Sequence, residues 1–291
     1  MPEHSQPHQH QHQHQHPTHD AAQHAPSHED ALAELLELDA GLTAPLLDEV
    51  VGWTARHVRG APRTVADVGA GPGAGSRALA RRFPAAGILA IDRSEVMLER
   101  LRTAAHGSGP ADRIRTVAAD LDAGWPAVGG VDLAWASSSL HELADPGRVL
   151  RELRTALAPG GLLVVVELDA PPRFLPDDGT GRPGLETRCH EALARAGWNA
   201  HPDWRPFLER AGFHVLEQRR FALEASPAPP GTGRYAHAWL HRARPALAER
   251  LDAADLAALD RLLADDARDG VLHRGDLVLR AGRTAWAARR P

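Results

Sequence analysis

The sequence contains no lysine; all 33 of its basic residues are arginine. Mechanisms that need a side-chain amine, such as a Schiff base or a P-loop, are therefore excluded. A single cysteine, Cys189, cannot build a disulfide framework or a multi-thiolate metal site within one chain. The longest uninterrupted apolar run, Leu162 to Val166, falls far short of the ~20 residues of a membrane span. The basic-then-apolar order of a secretory signal is also missing from the N-terminus, which points to a cytoplasmic protein with no membrane partner. Against 38 acidic residues the arginines leave a net charge of −5, so nucleic acid is not an expected partner. What the chain does have is 291 residues, 43% of them apolar, enough for a packed core in one large domain or two small ones.

Half of the 18 histidines fall in residues 1–28, mixed with Gln and Pro. That segment has little to bury and reads as a disordered tail, whose imidazoles could hold a divalent metal when deprotonated. Ser27, three residues before Asp30, has capping spacing for a first helix. Thr43 with Pro45 opens a second, and the two form an N-terminal helical cap over 29–60. From Thr64 onward strand-like runs at 64–68, 87–91, 114–118, 131–136 and 161–167 alternate with helical ones. This rhythm predicts an α/β fold, a doubly wound and mostly parallel sheet with helices on both faces. Asp145, Pro146 and the stripe Val149, Leu150, Leu153 and Leu157 mark its clearest helix. Helices at 185–196 and 203–211 lead to a sixth strand at 213–223, which completes a core over 61–225. A helical insertion at 226–270 follows, then a final strand within 271–291.

The most informative stretch is Val65-Ala-Asp-Val-Gly-Ala-Gly-Pro-Gly-Ala-Gly-Ser76, where a buried strand runs into alternating glycines and then a helix. Gly69, Gly71 and Gly73 permit positive φ and let a ligand lie against bare backbone. The same letters satisfy the dinucleotide pattern, so a nicotinamide-dependent oxidoreductase is one reading. Asp92, ending the second strand, can accept from the vicinal hydroxyls of a ribose in either case. Asp67, just ahead of the first glycine, would repel a pyrophosphate and suits a cationic ligand; S-adenosylmethionine carries a sulfonium and an ammonium.

Five ordered blocks extend this reading: Asp67-Val-Gly-Ala-Gly-Pro-Gly, Ile91-Asp92-Arg93-Ser94, Ala119-Asp120-Leu121, Trp135-Ala136-Ser137-Ser138 and Leu157-Ala-Pro-Gly-Gly-Leu-Leu-Val-Val-Val-Glu167. Together they resemble the class I S-adenosylmethionine-dependent methyltransferases over about residues 62–225 plus the final strand. The resemblance implies a Rossmann-like sheet of seven strands with an antiparallel last one. It further implies that Asp67 and the backbone of Gly69, Ala70, Gly71 and Gly73 hold the methionine part, and that Asp92 holds the ribose. Arg93 and Met97 would border the adenine, Asp120 would accept from its amino group, and Leu121 would offer backbone. Ser137 and Ser138 would border the transferred methyl. Each has a plainer reading as well: Asp120 as a turn residue, Met97 as core, Ser138 and Ser139 as loop.

A sulfonium methyl is already activated, so its displacement asks chiefly for positioning and dryness. A hydroxyl or amine acceptor would also need a base. His141, just after the fourth strand, is the first candidate, with Glu167 and Glu142 next; the alternative is that His141 only shapes the pocket. The block after the fourth strand is not the Asn-Pro-Pro-Tyr of many base and glutamine methyltransferases, which leaves a small-molecule acceptor as the expected partner. Trp53, Trp198, Trp204, Tyr235 and Trp239 could line an acceptor pocket or simply pack helices. A homodimer is compatible with the chain, no metal is expected in the core, and a protein that binds the cofactor or a metal without catalysis is the reading from another class.

Overall fold

The computed structural model describes residues 27–106, 111–177, 182–198 and 203–291. The expectations for the His-rich tail up to residue 26 thus lie outside the described residues. Ser27 lies inside them and caps α1 (His28–Leu42), its hydroxyl accepting from the Asp30 N–H at 3.1 Å.

Among the described residues one seven-stranded sheet forms the centre, in the order β3-β2-β1-β4-β5-β7-β6. Its strands are β1 (Thr64–Val68), β2 (Gly87–Asp92), β3 (Ile114–Ala118), β4 (Val131–Ser137), β5 (Leu157–Leu168), β6 (His214–Ala225) and β7 (Leu279–Arg289). The first five are parallel, and β7 runs antiparallel between β5 and β6. β5 starts ahead of the expected 161 because Leu157 already pairs with Val131 before the register shifts; Pro159 and Gly160 sit in that irregularity. The strand order reverses between β1 and β4, where sheets of this kind open a ligand crevice at their carboxyl ends.

Side chains alternate across the sheet with period two, and each face finds its own helices. Ala66, Val68, Leu89, Ala134 and Ala136 meet the stripe of α5 (Pro146–Ala156), with Leu208 of α7 (Arg205–Arg210). Val65, Ile88, Leu133, Trp135 and Val164 meet α2 (Ala44–His57) and α3 (Ala74–Arg82). Residues 29–60 therefore divide. α2 belongs to the sheet's own packing, with Trp53 fully buried and edge-on to Phe221 of β6 at 5.7 Å, whereas α1 joins a separate cluster. In that cap Leu35 of α1 packs with Leu185 and Leu193 of α6 (Leu185–Arg195), Tyr235 and Trp239 of α8 (Thr232–Leu247), and Leu259 of α9 (Ala253–Leu263). α4 (Glu95–His106) lies against β2 and β3 and touches α1. No helix among the described residues is long and apolar enough to cross a membrane.

Candidate active site

The turn after β1 is shaped by what its glycines leave out. Gly69, Gly71 and Gly73 all take positive φ (70°, 52° and 86°). A Cβ on Gly69 would lie 2.4 Å from the Ser139 Cβ, and one on Gly73 would lie 2.3 Å from the Leu101 Cγ. Both positions are barred to larger residues by conformation and by space. Over Gly71 the nearest group is the Leu36 Cδ1 of α1, 3.7 Å from where a Cβ would stand, so α1 covers the turn. The Gly69 and Ala70 N–H groups donate to the Ile91 carbonyl at 2.8 and 2.9 Å, which ties the turn to the end of β2.

Asp92 completes that tie: one carboxylate oxygen accepts from the Gly71 N–H at 2.8 Å and the other from the Ser94 N–H at 2.9 Å. It stays half-buried at the crevice, with lone pairs left for further donors. Asp67 is placed differently. It shares a face of β1 with Val65, so its side chain points under the first turn of α3, where it is 2% exposed and accepts from the Ser76 hydroxyl at 2.6 Å. Burial pushes its carboxyl up to about 7, against the opposing Ser76 hydrogen bond. Asp67 therefore underlies the turn rather than lining the crevice, and the sequence carried no signal of its Ser76 partner.

The other predicted contacts separate in the same way. Met97 is buried on α4 and Leu121 is buried beside the turn that follows β3. Arg93 is exposed near the crevice. Asp120 is exposed and accepts from the Asp122 N–H at 2.9 Å, as a turn residue does. Ser137 ends β4, and Ser138 is held at φ 51° with its N–H donating to the Val166 carbonyl at 2.8 Å. Ser139, read from sequence as loop, is the side chain wedged against Gly69, its hydroxyl donating to the Val68 carbonyl at 2.6 Å.

His141 and Glu167 come together. His141 lies in the short turn after β4 and Glu167 near the end of β5, with Nδ1 and Oε2 2.8 Å apart. Glu142 approaches Nε2 at 3.3 Å. Glu167 is 1% exposed, whereas Glu142 is 65% exposed. Burial alone would lower the His141 imidazole, but its hydrogen bonds to Glu142 and Glu167 outweigh that and push it up to about 10. The His141 hydrogen bond in turn holds Glu142 below the usual carboxylate range, helped by the charges of Arg242 and Arg93. The second oxygen of Glu167 is buried with no hydrogen-bond partner among the described residues.

Sequence reasoning missed a further group. Arg283 of β7, 7% exposed, pairs with Asp39 of α1 at 2.8 Å, and the Tyr235 hydroxyl donates to the same carboxylate at 2.6 Å. This pairing fastens α1 over the site, and the Glu167 charge also bears on Arg283. Reading helices and strands by apolar period passes over charged residues, which is why Asp39 on α1 and Arg283 on β7 left no trace. Of the aromatic residues, Trp53, Trp204, Tyr235 and Trp239 are buried in helix and sheet packing; Trp198 is half-buried, 6.0 Å from Trp239. Among the described residues no group of three or more His, Cys, Asp or Glu side chains is arranged to hold a metal.

Comparison with known proteins places a methyltransferase domain at residues 65–161. The chain is 35% identical over 111 residues to the trans-aconitate 2-methyltransferase of Acidovorax sp. (strain JS42), a match covering 38% of this chain and 40% of the relative. It is 36% identical over 103 residues to the malonyl-[acyl-carrier protein] O-methyltransferase of Xylella fastidiosa (strain M23), covering 35% and 34%. The chain thus spans less than half the length of these curated relatives. A solved structure from Bacillus halodurans C-125, a candidate methyltransferase, shares the fold at TM-score 0.51 and 18% identity, covering 83% of this chain and 98% of that one. Residues 65–161 thus match a methyltransferase domain, the curated relatives over this stretch are methyltransferases, and the surrounding fold is that of the solved candidate methyltransferase.

Proposed function

We propose that the protein transfers the methyl group of S-adenosylmethionine to a small molecule, with a carboxylate oxygen the acceptor that suits the site best. The observation carrying the cofactor is the bare turn at the β1–β4 reversal, tied to a half-buried Asp92. Its cradle fits the group, since the volume a side chain on Gly69 or Gly73 would fill is already closed while the Gly71 face meets only Leu36. Asp92 would take the ribose hydroxyls and the Gly69–Gly73 backbone the methionine part, with Met97 and Leu121 as apolar border. When bound, S-adenosylmethionine supplies an electrophilic methyl on a sulfonium. The chain's own residues then have to align an acceptor and keep water out. Leu36, held down through Asp39 and Arg283, serves the second task.

His141 bears on the acceptor. Clamped between two carboxylates it stays protonated at neutral pH, so it donates there and does not act as a base. A hydroxyl or amine would have to lose a proton; a carboxylate arrives without one. The exposed Glu142 on Nε2 occupies the position an acceptor carboxylate would take, and Arg93 and Arg242 add positive charge nearby. The matched trans-aconitate and malonyl relatives are named for acids, which supports this choice.

Three measurements test the proposal. S-adenosylhomocysteine should raise the melting temperature at micromolar levels and NAD should not; the reverse would return the oxidoreductase reading. With an acid acceptor, turnover should hold through neutral pH and fall as pH rises through about 10, where His141 loses its charge. His141→Gln should cut turnover about 100-fold while leaving cofactor affinity nearly unchanged. A rate that climbs toward pH 10 would instead make His141 a base and the acceptor a protonated group.

A further inference from the structure

The cap holds a second concavity, none of whose lining residues belongs to the site above. A cavity of about 170 Å³ opens between the segment after β5, the first turn of α6 and the α9 side of the cap. Its walls are partly apolar, with Leu175, Leu185 and Leu262, yet four arginines reach it: Arg173, Arg182, Arg261 and Arg274.

Ion pairing decides which of these are available to a ligand. Arg182 is spent on Asp255 and on Asp252 at 3.0 Å, and Arg274 on Asp276 at 2.6 Å. Of the acids in the wall, Asp177 is held by Arg280 at 3.0 Å. Glu186 accepts the Phe174 and Leu175 N–H groups at 2.8 and 3.3 Å, and burial pushes its carboxyl up to about 7 against those bonds. It presents little negative charge below neutral pH. Two guanidinium groups are left. Arg173 donates only to the Thr187 hydroxyl, at 3.1 Å, and Arg261 has no carboxylate partner among the described residues. Exposed Asp269 opposes them at neutral pH, and Glu186, whose charge interacts with Arg173, joins it as pH rises past about 7. The first turn of α6 also opens on Gly184 with no side chain capping its N–H groups, which favours negative charge at the same end of the cavity.

We propose that this cavity binds a small organic anion, a carboxylate or phosphate head on a short apolar body, gripped by Arg173 and Arg261. Both heads present the paired oxygens that a guanidinium fork matches. The volume is close to that of the ~150 Å³ apolar cavity known to admit benzene, which limits the ligand to roughly six to eight non-hydrogen atoms.

Calorimetry on the full chain provides the test, with inorganic phosphate and butyrate as the two probes. Saturable heat from phosphate alone identifies a phosphate head; saturable heat from butyrate alone identifies a carboxylate. Arg261→Ala should weaken the affinity about tenfold or more, the scale of one charge-assisted hydrogen bond, and Arg261→Lys should restore part of it. Arg261 is exposed on α9, so its replacement should leave the melting temperature in place. Arg173→Ala should weaken binding similarly; should it lower the melting temperature through the lost Thr187 contact, Arg261→Ala decides alone. Absence of saturable heat from both probes at millimolar concentration, or an affinity that Arg261→Ala leaves unchanged, overturns the proposal.

Discussion

At the turn after β1 the backbone carries the architecture and side chains are kept out. Gly69 and Gly73 have no room for a Cβ, the loop N–H groups are fixed on Ile91 and Asp92, and the nearest side chains, Ser139 and Leu101, press from outside. The cap is assembled the other way round, from side chains alone. Tyr235, Trp239, Phe174 and Leu35 form its core, and ion pairs between Asp39 and Arg283, Glu34 and Arg234, and Arg100 with Asp30 and Glu37 hold α1 in place. A bare backbone presents the same contour whatever surrounds it, so it suits a cofactor held in common by many enzymes. A side-chain interface can be repacked residue by residue, so it suits an acceptor that differs between them.

If that contrast holds, the largest effects of single substitutions belong to the turn. Gly69→Ala combines a left-handed backbone with a Cβ 2.4 Å from Ser139, and should cost about 3 kcal/mol of stability and most of the cofactor affinity. Adding Ser139→Gly should recover the part due to crowding and leave the part due to φ. Thermal unfolding and S-adenosylhomocysteine titration read both. A Gly69→Ala protein with unchanged melting and affinity would show that the turn tolerates side chains after all.

The same contrast explains what could be read in advance. β1 was expected at 64–68 and is found there, and its glycine turn and Asp92 follow, because strand alternation and glycine conformation are local properties of the chain. Pairing of His141 with Glu167 joins two strand ends 26 residues apart and needed only the strand order to bring it together. The cap was legible as helices but not as contacts. Trp53 meets Phe221 only because β6 lies at the far edge of the sheet, which is why α2 read as cover although it packs in the core. Nothing in the spacing around Asp39 announces an arginine 244 residues away, and the wedge that Ser139 forms exists only once β1 and β4 lie side by side.

Within the cap the buried latch should matter next. Asp39→Ala leaves the Arg283 guanidinium buried beside Glu167 and removes the acceptor of the Tyr235 hydroxyl; it should cost about 2–3 kcal/mol, below the 3–5 kcal/mol of a fully buried pair because Asp39 keeps partial solvent contact. Faster hydrogen exchange should appear in α1 while β1 and β2 stay protected. An equal loss of protection in β1 would mean that turn and cap unfold as one unit and that the contrast is only one of shape.

The smallest effect should come from the outer ion pairs of the same helix. Arg100 on α4 reaches Asp30 at 3.2 Å and Glu37 at 3.1 Å, but all three side chains are a third or more exposed, so water and salt compete for each charge. Arg100→Ala should therefore change stability by about 0.5 kcal/mol or less, with the change vanishing at high salt. The useful readout is the association rate of S-adenosylhomocysteine at low ionic strength. α1 lies over Gly71, so a cofactor entering from the α4 side has to part these pairs. If α1 lifts to admit the cofactor, pairs this weak would bear on how often it opens rather than on whether it closes. Arg100→Ala should accordingly speed association while leaving the dissociation constant nearly fixed, and an unchanged association rate would leave the Asp39 latch as the sole restraint on the helix.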